Sequence, residues 1–196
     1  MTPGLDEAVE LLDRALAYTR GALADVDDTS LGRPTPCTAW TLEQLLDHMA
    51  DALDAFTEAA GGWVEVRVAR QAATRVGVLQ EKACALLGAW AQAAPAAVLV
   101  GDLPVEASLL VATAALEVTV HGWDVAQATG RRTPLPAGLA RDLLPVARAV
   151  VSSPDRGVRF ATERPAADST DPARLLAFLG RDLTGPPARV PPNRHT

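Results

Sequence analysis

The stretch VEASLLVATAALEVTVHGWDVAQATG, residues 105–130, is almost wholly apolar and is too long for a strand. A helix that is apolar on every side belongs inside a protein or inside a membrane. Glu106, Glu117, His121 and Asp124 decide between the two. Four ionisable groups in about 24 residues argue for the buried helix of a bundle and against a membrane span. The run is expected to be helical from Val105 to Thr129, with Gly130 just past its end.

Working outward, the rest of the chain reads as further helices. Leu5 to about Val26 carries Leu5, Ala8, Val9, Leu12, Leu16 and Leu23 at helical spacing. A Gly/Pro-punctuated loop, DDTSLGRPTPCTAW, follows. Thr41 and Gln44 form a T-x-x-Q capping box that opens a second helix, Leu42 to about Ala59, which Gly61-Gly62 ends. A third helix is predicted from about Val64 to Ala93, with Gly77 or Gly88 as points of interruption and Pro95 as its stop. PLPAGLARDLLPVARAVV predicts a fifth helix. DPARLLAFLGRD predicts a short last one, with Asp171 as cap and Pro172 at its start. The expectation is an all-α four-helix bundle with additional short C-terminal helices. Residues 1–182 would form one domain, and residues 183–196 a Pro-rich flexible tail.

Composition narrows the function. There are 18 basic and 24 acidic residues, for a net charge of −6, and no Lys/Arg stripe that would hold phosphates. Nucleic acid and membrane are therefore not expected partners; a small-molecule substrate is. Two cysteines, Cys37 and Cys84, make neither a C-x-x-C nor a disulfide framework. With an acidic, non-apolar start (MTPGLDEAVE), they point to the reducing cytoplasm. Monomer and homodimer are both compatible with such a bundle.

Glu117 and His121 are four residues apart, so they share one face of the helix, one turn apart. A carboxylate on an inward face needs a cation, and an imidazole needs a partner. A divalent metal satisfies both, and a plain hydrogen-bonded Glu–His pair is the alternative. The chain has three histidines. His195 lies in the tail, which leaves His48, on the second helix near the small residues Ala52 and Ala55. The set His48, Glu117 and His121 suits zinc and, less selectively, nickel, iron or manganese. Three protein ligands leave a coordination position open, the pattern of catalytic sites.

Asp124, three residues past His121, is placed to orient a ligand, or to make a salt bridge. Cys37, ahead of the second helix, is either a thiol activated by the helix N-terminus or a small filler. Trp40 and Trp123 read as packing residues. Arg131 and Arg132 read as a solvated helix end or an anion contact.

Two motifs carry a resemblance. PTPCTAWTLEQLLDHMAD, residues 34–51, holds C-x-x-W-T-x-x-x-L-x-x-H, and EVTVHGWDVAQATG, residues 117–130, holds E-x-x-x-H-x-W-D-x-A-x-A-T-G. Together with the late segment RLLAFLGRD, they resemble the DinB-like superfamily. The closest likeness is to the actinobacterial branch grouped with the mycothiol-dependent maleylpyruvate isomerase N-terminal domain. The resemblance implies a four-helix bundle with a metal on His48, Glu117 and His121. It also implies a metal-dependent transferase or isomerase that activates the thiol of mycothiol as cosubstrate. Two alternatives stand beside it. One is a metal-dependent lyase, isomerase or cyclase of specialised metabolism without a thiol; the other is a non-catalytic metal-binding protein that holds a small ligand.

Overall fold

A computed structural model describes residues 3–37, 40–61, 74–92, 95–131, 133–157 and 160–181. Helix α1 (Leu5–Ala22) runs into a short 3₁₀ turn (Leu23–Asp25), and α2 (Leu42–Ala59) and α3 (Arg75–Trp90) follow. A two-stranded hairpin, β1 (Ala97–Val100) and β2 (Leu103–Glu106), leads into α4 (Ala107–Thr129). Helices α5 (Ala137–Val150) and α6 (Asp171–Phe178) complete the chain. The fold is all-α, with α1 to α4 as the bundle, α5 packed on α4, and α6 packed on α5.

Helix α4 is the axis of the molecule. By length and hydropathy it is long and apolar enough to cross a membrane, but 78% of its apolar window is buried inside the bundle. That is where the core helix of a bundle sits. Its end is fixed by Gly130 at φ 80°, a left-handed conformation that closes the last turn.

Contact between α1 and α4 is the tightest in the bundle. The Thr19 hydroxyl donates to the carbonyl of Val118 at 2.8 Å. A Cβ placed on Gly122 would lie 2.4 Å from Thr19 Oγ1 and 3.0 Å from its Cβ. Alanine favours a helix over glycine by about 1 kcal/mol. Overpacking a core contact costs about 1–3 kcal/mol, and here no single rotamer of Thr19 clears all three of its close atoms. Gly122→Ala is therefore expected to lower stability by up to about 2 kcal/mol in urea unfolding, the overpacking cost less the helix gain. The double variant Thr19→Ala/Gly122→Ala is expected to recover part of the loss.

The local signals at the start of α2 hold. The Thr41 hydroxyl accepts from the Gln44 amide at 3.4 Å, and the Gln44 side chain accepts from the Thr41 amide at 3.0 Å. This reciprocal pair fixes where the helix carrying His48 begins.

Three expectations need correction. Helix α3 begins at Arg75, capped by the Thr74 hydroxyl, and Gly88 does not break it. The part of the expected helix from Val64 to Ala73 lies outside the described residues. The segment between α3 and α4 pairs as a hairpin, with Val98 opposite Val105 and Leu99 opposite Pro104, where the apolar helix was expected to begin at Val105. Val105 and Glu106 are thus strand residues, and α4 starts at Ala107. Two four-residue strands give too few alternations to separate from a loop by period. Finally, Thr170 and not Asp171 caps α6, its hydroxyl accepting from the Ala173 amide. The Thr170 hydroxyl also donates to Asp168 at 2.5 Å, which braces the cap. The tail from residue 183 lies outside the described residues.

Candidate metal centre

His48, in the middle of α2, faces Glu117 and His121 on α4. The donor atoms of the three residues lie within 4.8 Å of one another, the one group of its kind found among the described residues. His48 Nε2 is 2.7 Å and His121 Nε2 is 2.9 Å from the same oxygen, Glu117 Oε1. The second histidine is nearly buried, at 6% exposure. His48 and Glu117 are half-buried. Trp40, on the loop that enters α2, closes one side. Its ring lies 4.4 Å from the His48 ring and 6.0 Å from the His121 ring, centroid to centroid.

Asp124 stands behind His121. Its Oδ2 is 3.1 Å from His121 Nδ1. The carboxylate is fully buried and is also gripped by Arg181, through Nη2 at 2.7 Å and Nε at 3.3 Å. Arg181 is itself buried and donates its remaining Nη1 to the carbonyl of Leu179. Asp124 thus makes the salt bridge and the histidine contact at once.

The charges follow from this arrangement. Burial by itself would raise the Glu117 carboxyl, but the adjacent imidazoles of His121 and His48 outweigh it and hold the group well below the usual carboxylate range. Burial by itself would neutralise His121. The carboxylates of Glu117 and Asp124 outweigh that and lift it to about 9. Burial would likewise raise Asp124, yet the Arg181 guanidinium and His121 keep it lowered and ionised.

These facts test whether the site suits a metal. An ionised Asp124 only accepts, so Nδ1 of His121 carries the proton of that contact. Nε2 then faces the Glu117 carboxylate at 2.9 Å. Two lone pairs at that distance repel unless a proton or a cation lies between them. Two imidazoles and one carboxylate converging on one point, with one imidazole held from behind by a carboxylate, form the donor set that divalent zinc takes. The residues fit the ion.

The other sequence candidates fall as follows. Burial pushes the Cys37 thiol up to about 11, so it stays protonated at neutral pH and is a half-buried filler beside the site. Trp123 is buried in the core. Arg131 pairs with Asp25 at 2.6 Å, which ties the end of α4 to the turn after α1. Arg132 lies outside the described residues. Arg181 was not legible as a site residue. Its signal was the charged residue after Leu179-Gly180 in a segment otherwise read as the last helix. Nothing in the sequence shows that Gly180, at φ 77°, turns the chain back toward α4.

Beside Glu117, a cavity of about 390 Å³ opens between α1, α2 and α3, with Val118 of α4 also in its wall.

Comparison with known proteins places this geometry. The family model described as the mycothiol maleylpyruvate isomerase N-terminal domain matches residues 12–126, more than half of the chain. The match takes in His48, Glu117 and His121 and ends before Arg181. Two proteins from two strains of Mycobacterium tuberculosis, both described as uncharacterized, are 33% identical over 170 residues, spanning 82% of this chain and 90% of theirs. A crystal structure of the mycothiol-dependent maleylpyruvate isomerase superposes with a TM-score of 0.50 at 19% identity, covering 74% of this chain and 73% of that one. At that identity the likeness is one of fold.

Proposed function

Since the chain belongs to the family defined by the mycothiol maleylpyruvate isomerase N-terminal domain, we propose that it is a metal-dependent transferase or isomerase that uses the thiol of mycothiol. In this reading His48, Glu117 and His121 hold one divalent ion, with zinc the best fit to their donors. The observation that carries it is the convergence of those three donor atoms within 4.8 Å, in a chain of this family. A bound divalent ion would supply the Lewis acidity that makes a thiol a thiolate near neutral pH.

The chain's own residues do the rest. Glu117 would bring the negative charge to a bound ion, beside the imidazoles of His48 and His121. Asp124 fixes the ring of His121 and its proton at Nδ1, and Arg181 keeps Asp124 ionised and in place. Trp40 shields the two histidine rings from water on its side. Cys37 is protonated, so it does not compete as a nucleophile, and the reacting thiol comes from the cosubstrate.

The test is thiol consumption. Zinc-loaded protein is incubated with mycothiol and a panel of an epoxide, an activated alkene and an alkyl halide. Loss of free thiol above buffer, dependent on both metal and protein and absent in Glu117→Gln, is the expected result. Thiol loss no faster than in buffer for every electrophile would contradict the thiol reading. One observation favours a second reading. The cavity at Glu117 is mainly apolar and offers little to a sugar–inositol head group. Turnover of a substrate in the absence of any thiol would select the thiol-free lyase, isomerase or cyclase.

A further inference from the structure

The cavity beside Glu117 has a lining that sorts ligands. Leu16 comes from α1, Met49, Leu53 and Phe56 from α2, and Leu79 and Leu87 from α3. Small residues, Ala52 on α2 and Ala83 on α3, leave the space between them. Its volume of about 390 Å³ is that of a pocket for a small organic molecule. The polar groups are placed unevenly. Asp13, Arg20, Gln80 and Cys84 are all exposed and form a wet rim. Inside, the hydroxyl of Thr19 is spent on the Val118 carbonyl. That leaves Glu117, which engages both imidazoles through Oε1 alone. Among the described residues no cationic group lines the interior. A small dicarboxylate would give up its hydration for an apolar wall that offers it no partner along its length, which is unfavourable. A neutral apolar molecule gains from every methylene it buries.

We propose that this cavity seats the apolar body of the substrate, an alkyl- or aryl-bearing small molecule rather than a small dicarboxylate, with its reacting end toward Glu117. The proposal rests on the reading of His48, Glu117 and His121 as the reacting centre. Met49 and Phe56 suit such an occupant, since a flexible thioether and an aromatic face adapt to chains and rings alike. Ala52 lies one turn beyond His48 on α2, so the wall of the cavity and the metal ligand share one helix face.

The experiment uses the full chain, with its metal content recorded in parallel. Binding of n-alkanols from butanol to octanol, of 4-phenylbutanol and of succinate is measured by calorimetry. Alkylation of Cys84 by N-ethylmaleimide, followed by peptide mass, gives a second readout at the cavity rim. Affinity is expected to rise about fourfold per added methylene. Octanol is expected to slow Cys84 alkylation, and succinate to do neither. Ala52→Phe and Ala83→Phe fill the cavity from two different helices, and each is expected to weaken octanol binding at least about tenfold. Their metal content should stay at the wild-type level, which shows that either variant is folded. Succinate binding more tightly than octanol, an alkanol series with no chain-length dependence, or unaltered octanol binding in both filled variants would overturn the proposal. Alkanol binding of the expected pattern in a protein that holds no metal would support the cavity's occupant while removing the metal reading. The two failures are thereby told apart.

Discussion

Replacing Arg181 with methionine is expected to cost about 3–5 kcal/mol of folding stability at pH 7.5, read from the midpoint of urea unfolding. The argument starts from Asp124, whose side chain has no exposure to solvent and whose charge is balanced by the Arg181 guanidinium at 2.7 Å. Methionine fills similar space but leaves the carboxylate buried with only the His121 ring beside it. The desolvation cost of an uncompensated charge then falls on the folded state. The pH dependence has a definite sign. In the wild type the folded-state pKa of Asp124 lies below its ordinary value. Its contribution to stability is therefore present above that ordinary value and is lost only as acid carries the pH down through the folded pKa. The deficit of Arg181→Met is largest near neutrality and shrinks as the pH approaches 4, where the stranded carboxyl can take a proton. Adding Asp124→Asn to Arg181→Met removes the charge and is expected to recover part of the loss. A second readout separates positioning from folding. With Asp124 no longer held, His121 is less well oriented, and metal affinity is expected to fall about 10- to 100-fold in the folded variant.

The second large effect is at Glu117. Glu117→Gln keeps the size of the side chain and removes the charge that both imidazoles face. An amide is a poor ligand for zinc beside two imidazoles, and only two good donors remain. Metal affinity is expected to fall by more than about 100-fold, since even partners beyond the ligands are worth 10- to 100-fold. Stability is expected to change far less than in Arg181→Met, because Glu117 is half-buried and keeps access to water. The measurement is a competition titration against a chelator of known affinity. Unchanged affinity in Glu117→Gln would remove it from the ligand set.

Much of this was legible from residues alone. Glu117 and His121 stood out because a helix that is apolar on all sides has no cheap place for a charge, and four-residue spacing put them on one face. His48 followed because the chain has few histidines and one of the others lies in the tail. The capping box at Thr41 and Gln44 is local chemistry, so it read correctly. Arg181 did not read, because its role depends on a contact 57 residues away in sequence. The hairpin at 97–106 escaped for another reason. Its exposed residues, Leu99, Val100 and Leu103, are as apolar as its buried Val98, so no alternation marks the strands. Trp40 was read as packing, and it does pack, but on the two histidine rings. Sequence separates a core tryptophan from a site wall only when the loop that carries it can be placed.

The central claim is that His48, Glu117 and His121 hold a divalent ion. The most direct measurement is the metal content of the wild-type protein, purified without a histidine tag, by inductively coupled plasma mass spectrometry. About one equivalent of metal per chain, removed by chelator and restored by zinc, is the predicted result. Protein that remains metal-free after reloading with zinc, nickel and iron would contradict the claim, and the three residues would then be a proton-bridged cluster.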